Sequence, residues 1–78
     1  MGKVILYSMD TCHRCKAVKQ VLDVNNVDYT EIVDINIMKA KDFKEVPMME
    51  IDDKTLDYAE IMTWLRENNY SLLGGGNR

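Results

Sequence analysis

The stretch Thr-Cys-His-Arg-Cys-Lys at residues 11–16 holds both cysteines of the 78-residue chain, in a C-x-x-C spacing. The apolar run Val-Ile-Leu-Tyr at residues 4–7 precedes it and is typical of a strand buried on both faces. Val18, Val21 and Leu22 follow it at helical spacing. The pattern therefore predicts two thiols on the first turn of a helix, at the carboxyl end of a strand, where open α/β sheets collect ligands and chemistry.

The spacing of the two cysteines favours redox chemistry. Cys12 and Cys15 stand at positions i and i+3 of the predicted helix, so they share one face and can form a disulfide. Thr11 or Asp10 is expected to cap this helix. Its first turn offers unpaired N–H groups and the positive end of the helix dipole, which favour a thiolate. We expect Cys12 to be the attacking sulfur and Cys15 the resolving sulfur of thiol–disulfide exchange.

The residues between the cysteines allow several interpretations. His13 and Arg14 add positive charge that favours a thiolate at Cys12, although His13 could equally be an inert surface residue and Arg14 a surface charge that also attracts anionic substrates. A zinc site is an alternative use of the C-x-x-C pair, with His13 as a third ligand. Zinc sites usually need four protein ligands or three plus water, and the chain has one histidine and no further cysteine.

Composition narrows the class of protein. The chain is 46% apolar and 29% charged, with a net charge of −3, which argues against a nucleic-acid surface. No apolar run approaches the roughly 20 residues of a membrane span, and the N-terminal one is too short for a signal peptide. We expect a cytoplasmic monomer with one domain over residues 1–70 and a flexible tail at 71–78. In a reducing compartment, a C-x-x-C pair is more often catalytic or metal-binding than structural.

The remaining pattern predicts the element order β-α-β-α-β-β-α. Strands are expected over about 3–7, 28–33, 48–51 and 55–56, and helices over about 13–25, 37–43 and from an Asp57 cap to about Asn68. Asp34 or Asn36 could cap the second helix, and an irregular loop is the alternative for that segment. Asp57 followed by Glu60 matches a capping box. The predicted fold is α/β, a four-stranded mixed sheet with helices on both faces.

The C-x-x-C at a helix start, Val46-Pro47 before the third strand and a final helix directly after a hairpin resemble the glutaredoxin branch of the thioredoxin-like fold. The resemblance covers nearly the whole chain. It implies that Cys12 is the nucleophile, that Cys15 is the resolving thiol and that Pro47 is a cis proline beside them. It also implies that the Val46 backbone pairs with a bound thiol peptide. Without the resemblance we would expect the Val46–Pro47 peptide bond to be trans, since cis forms are about 5–6% of X–Pro bonds in folded proteins.

The chain departs from the family pattern at two places. His13 and Arg14 replace a common proline and tyrosine, and Asp57-Tyr58 stand near a Gly-Gly pair that forms part of the family's glutathione site. We expect Asp57 to repel the carboxylate that a helix N-terminus would otherwise receive. The resemblance implies no bound cofactor, with glutathione as a possible co-substrate. It implies protein disulfides or glutathione mixed disulfides as substrates, and glutathione or a thioredoxin-type reductase as electron donor.

Two alternatives from other classes would use the same cysteines. Soft-metal chaperones also place a C-x-x-C after a first strand, and residues 9–12 partly match their motif, although Val46-Pro47 has no role in their fold. Some glutaredoxins hold an iron–sulfur cluster between two monomers, using the first cysteine and glutathione. Most of those carriers keep a small residue after that cysteine, where this chain has His13.

Overall fold

The computed structural model describes residues 3–70, and seven helices and strands follow one another there in the predicted order. The strands are β1 (Val4–Tyr7), β2 (Thr30–Ile32), β3 (Met48–Ile51) and β4 (Lys54–Leu56), and the helices are α1 (His13–Val24), α2 (Ile35–Ala40) and α3 (Tyr58–Glu67). The predicted tail at 71–78 lies outside the described residues.

The strands form one mixed sheet in the order β2-β1-β3-β4, which confirms the predicted architecture. β1 runs parallel to β2 and antiparallel to β3, and β3 and β4 form an antiparallel hairpin. Tyr7, the last residue of β1, is opposite Met48, the first residue of β3. The segment that follows β1 and the segment that precedes β3 therefore meet at one edge of the sheet.

The main core lies on the face of the sheet that α1 and α3 cover. Its buried residues are Val4, Leu6 and Met49 from the strands, Val18, Val21 and Leu22 from α1, and Ile61 and Leu65 from α3. Tyr7 follows Leu6 and therefore faces the opposite side. Its ring packs edge-on against Phe43, with 5.0 Å between the ring centroids. Phe43 follows α2, so helical segments cover both faces of the sheet, as predicted.

The second helix differs from its predicted bounds. It begins at Ile35 rather than residue 37, because the Asp34 carboxylate caps it and accepts the Asn36 N–H at 2.9 Å. It ends at Ala40 rather than residue 43, and the chain soon turns through a left-handed Asp42 with φ of 61°. Asp34 was one of the two predicted caps, but the apolar spacing of so short a helix misplaced its first and last residues.

A polar cluster, here called the Tyr7 cluster (Tyr7, Glu50 and Lys41), joins the sheet to the end of α2. The Tyr7 hydroxyl donates to Glu50 Oε1 at 2.7 Å, and Lys41 Nζ lies 3.0 Å from Glu50 Oε2. The hydrogen bond from Tyr7, followed by the one from Lys41, holds the pKa of Glu50 below its ordinary value despite partial burial. Burial and Glu50 together raise the pKa of Tyr7.

We expect Glu50→Gln to reduce the dependence of the free energy of unfolding on pH. A carboxyl whose pKa is lowered on folding adds stability above its unfolded pKa, near 4.5, and loses it as the pH falls through the folded pKa. The wild type should therefore be more stable than the variant at neutral pH, by a margin that shrinks toward about pH 3. Urea unfolding at both pH values measures this margin, with Glu45→Gln at an exposed position as control. A margin that does not shrink in acid would contradict the prediction.

Candidate active site

The first turn of α1 is capped by a cysteine. Cys12 adopts the extended conformation of an N-cap residue, with φ of −93° and ψ of 113°, and its Sγ accepts the Cys15 N–H at 3.0 Å. The helix begins at His13, as predicted, but the prediction of Thr11 or Asp10 as its cap was wrong, because the residue directly before it, Cys12, is the cap. The sulfur thus takes the place of the capping oxygen, next to the unpaired N–H groups and the positive end of the helix dipole.

The two cysteines form a disulfide, with their Cα atoms 5.2 Å apart. Cys15 is completely buried, whereas Cys12 is partly exposed. A partner disulfide that approaches from solvent therefore reaches Cys12 before Cys15.

The segment before β3 lies beside this disulfide. The Val46–Pro47 peptide bond is cis, as the resemblance implied, and Pro47 is buried. Cys12 Sγ lies 3.9 Å from the Val46 carbonyl oxygen, although the two residues are 34 positions apart. The nucleophile candidate and the backbone that would pair with a thiol peptide thus belong to one site.

The residues between the cysteines have different surroundings. His13 and Arg14 are both exposed at the start of α1. The Arg14 guanidinium carbon lies 5.0 Å from the centroid of the Tyr58 ring, within the range of a cation–π interaction. Arg14 and Tyr58, both predicted as site residues, therefore join the N-terminal ends of α1 and α3.

Asp57 has a structural role at the start of α3. Its Oδ1 accepts the Glu60 N–H, and Glu60 Oε1 accepts the Asp57 N–H, both at 2.9 Å. This is the capping box that the sequence predicted. Two backbone donors at this helix N-terminus are therefore occupied by carboxylates of the chain itself.

Sequence analysis missed a second polar cluster, here called the Ser8 cluster (Ser8, Glu31 and Lys19). The hydroxyl of the fully buried Ser8 donates to Glu31 Oε2 at 2.5 Å, and Lys19 Nζ lies 2.8 Å from the same oxygen. The hydrogen bonds from Lys19 and then Ser8 hold the pKa of Glu31 below its ordinary value. The sequence offered one signal of this cluster, a serine directly after a buried strand. The hydrogen-bond partner of that serine could not be predicted, because it depends on how β1 and β2 pair.

A concavity of the described residues lies away from the cysteines. A groove of about 640 Å³ separates the β3–β4 hairpin from α3, with Ile51, Leu56 and Trp64 among its lining residues. None of the predicted site residues lines it. Within residues 3–70, no three His, Cys, Asp or Glu side chains are grouped so as to hold a metal ion.

Comparisons with known structures define the class of fold. The chain superposes on a mutant of the thioredoxin-like protein BC3987 with a TM-score of 0.70 and 26% identity, covering 91% of this chain and 100% of that one. It superposes on NaGST-2 with a TM-score of 0.71 and 20% sequence identity. It superposes on a Nu-class GST from Haemonchus contortus with a TM-score of 0.71 and 22% sequence identity. In both cases 87% of this chain but only 36% of the other is covered. The protein has a thioredoxin-like fold.

The family follows from the sequence itself. The family model named Glutaredoxin matches residues 4–69, and the chain belongs to the glutaredoxin family. The Cys12–Cys15 pair fits thiol–disulfide oxidoreductase chemistry of the general kind found in that family. No curated protein matches the chain significantly. Along residues 3–70, the helices are too short or too polar to cross a membrane.

We expect iodoacetamide to modify Cys12 of the reduced protein faster than Cys15, because Cys12 is partly exposed at the positive end of the helix dipole whereas Cys15 is buried. Mass spectrometry of peptides from timed reactions measures the two rates. In denaturant, where helix and burial are lost, the rates should converge. Faster modification of Cys15 in the folded protein would contradict the assignment.

Proposed function

We propose that this protein is a dithiol oxidoreductase that reduces disulfides through Cys12 and Cys15, with protein disulfides as its preferred substrates. The observation that carries the proposal is the position of Cys12 Sγ, which accepts the Cys15 N–H at the start of α1 and lies 3.9 Å from the Val46 carbonyl oxygen. Family membership supports the general chemistry. We further propose that it works as a cytoplasmic monomer without a bound cofactor, in keeping with a reactive C-x-x-C.

The exchange proceeds in two balanced steps. The Cys12 thiolate attacks one sulfur of the substrate disulfide, a Cys12–substrate bond forms, and the other substrate sulfur leaves with the electron pair and takes up a proton. The Cys15 sulfur, after loss of its proton, then attacks Cys12 Sγ and releases the second substrate thiol. The enzyme ends as the Cys12–Cys15 disulfide. Two electrons and two protons from glutathione or a thioredoxin-type reductase restore the dithiol.

The surroundings of Cys12 support an extended peptide as substrate. The Val46 carbonyl beside the sulfur offers a backbone acceptor to a peptide that pairs as an added strand. Arg14, placed over the Tyr58 ring, adds a fixed positive charge at the rim of the site. His13, exposed beside Cys12, adds a second group that can contact the substrate.

The start of α3 disfavours glutathione in this proposal. A helix N-terminus attracts carboxylates through its free N–H groups. Here the Asp57 and Glu60 carboxylates occupy two of those donors and add negative charge. Mixed disulfides of glutathione should therefore be poorer substrates than protein disulfides.

Two assays test the function directly. One follows reduction of a mixed disulfide between glutathione and a small thiol, coupled to glutathione reductase, and the other follows reduction of insulin by the protein with a dithiol donor. We expect the insulin reaction to dominate and to be lost in both Cys12→Ser and Cys15→Ser, because a dithiol mechanism needs both sulfurs. Dominant turnover of the glutathione substrate that survives Cys15→Ser would instead indicate a monothiol, glutathione-dependent enzyme. Inactivity in both assays would overturn the proposal.

We expect Asp57→Ser to raise kcat/KM for the glutathione mixed disulfide several-fold while the insulin activity stays constant. Serine keeps an N-cap oxygen, so the helix is preserved while the repulsive charge is removed. Removing a repulsion of about 1 kcal/mol would raise kcat/KM about fivefold. Asp34→Ser is the matched control, because Asp34 caps α2 in the same way but lies outside the proposed site. Equal effects of the two substitutions would contradict the role of Asp57.

A further inference from the structure

Ser8 is a buried polar residue that the proposed exchange does not use. It is 0% exposed and directly follows β1, on the way to the C-x-x-C motif. Its N–H donates to the Ile32 carbonyl at 3.0 Å and its hydroxyl donates to Glu31 at 2.5 Å. Both bonds join the end of β1 to β2. The loop to Cys12 therefore leaves the sheet from a fixed point.

The Glu31 carboxylate also connects to α1, beyond the cysteines. The same Glu31 oxygen that accepts from Ser8 lies 2.8 Å from Lys19 Nζ. Lys19 comes four residues after Cys15, so the two side chains lie on one face of α1, about 5–6 Å apart at their Cβ atoms. One carboxylate thus joins the strand end before the motif to the helical turn after it.

The charge on Lys19 matters because Cys15 is buried. Burial disfavours the thiolate form of a cysteine, and an ammonium group nearby favours it. Without a counter-charge, Lys19 would help Cys15 to ionise in the dithiol form. Glu31 supplies that counter-charge.

We propose that Glu31, held in place by Ser8, is a positioning residue for the exchange: it balances the charge of Lys19 and so keeps Cys15 a thiol while Cys12 is the thiolate. This inference rests on the proposed function and refines it. A protonated Cys15 cannot compete with Cys12 for the substrate disulfide. In the second step Cys15 gives its proton to solvent, its sulfur bonds to Cys12 Sγ, and the departing substrate thiolate carries away the electron pair and takes up a proton.

Several other charged or titratable groups lie on the elements around Cys15. They are Asp10 in the preceding loop, Cys12, His13, Arg14 and Lys16 at the start of α1, and Tyr58 at the start of α3. Asp10, His13, Arg14 and Lys16 are exposed, so solvent screens their charges. Substitutions at Glu31 and Lys19 in a Cys12→Ser background leave all of these groups unchanged except Cys12.

The test isolates Cys15 in a Cys12→Ser background, where serine keeps the helix capped. Absorbance of the thiolate near 240 nm is followed as the pH is raised. We expect Glu31→Gln to lower the titration midpoint of Cys15 by about 0.5–1 pH, because Lys19 is then unbalanced. Lys19→Met should raise it, because Glu31 is then unbalanced. The double variant should return to the parent midpoint.

The Tyr7 cluster on the opposite face of the sheet provides a matched control. Glu50 also accepts from a hydroxyl and pairs with a lysine, so Glu50→Gln removes the same kind of interaction. It should leave the Cys15 midpoint unchanged. An equal shift for Glu50→Gln, no shift for Glu31→Gln, or shifts in the same direction for Glu31→Gln and Lys19→Met would overturn the proposal. If Glu31→Gln fails to fold, Lys19→Met alone must still raise the midpoint.

The titration needs no turnover, so its outcome is separate from that of the disulfide assays. An inactive protein with opposite shifts for Glu31→Gln and Lys19→Met would overturn the proposed function and leave the charge balance at Cys15 standing. An active protein with an unmoved midpoint would overturn this inference alone.

Discussion

The pairing of β1 on both of its edges is the constraint on which the site depends. The strand is parallel to β2 and antiparallel to β3, and the Ser8 N–H extends the parallel pairing one residue beyond its end. Parallel and antiparallel neighbours place different chain ends at the same edge of a sheet. The motif that follows β1 therefore meets the cis Val46–Pro47 bond that precedes β3. If the pairing of β1 with β3 shifted by two residues, Cys12 and Val46 would move apart by roughly 7 Å.

In the proposed mechanism, the hydrogen bond that caps α1 also activates the nucleophile. Cys12 Sγ accepts the Cys15 N–H where other helices use a side-chain oxygen. A thiolate is a stronger acceptor than a thiol, since a charged partner makes a hydrogen bond shorter and stronger. The helix therefore stabilises the reactive form of the sulfur it uses as a cap. Once Cys12 is bonded to a substrate sulfur, that charge is gone and the cap weakens.

Local signals predicted the elements of this fold but not the contacts between them. The C-x-x-C pair, the buried β1 run and the Asp57 capping box depend on residues within one turn or one strand, and the structure places each as expected. The start of α1 was predicted correctly but its capping residue was not, because sulfur is an uncommon cap. The two polar clusters depend on strand register, since the Tyr7 and Ser8 side chains leave opposite faces of the sheet. The Tyr7 hydroxyl donates to Glu50 of β3, and the Ser8 hydroxyl donates to Glu31 of β2. A shift of one residue in either pairing would exchange these faces, so residue types alone do not determine the pairs.

The likeness to glutathione transferases concerns the fold and leaves the substrate open. The chain covers 36% of the two transferases compared, at 20% and 22% identity, and one fold can carry many chemistries. The proposed substrate preference rests on local contacts: carboxylates of the chain itself cap the start of α3, and the Arg14 guanidinium lies over the Tyr58 ring. Two backbone donors at the helix N-terminus that could receive the carboxylate of glutathione are already occupied by Asp57 and Glu60. Cys12 is partly exposed beside the Val46 carbonyl, and on that combination we base the proposal of a peptide rather than a small anionic thiol as substrate.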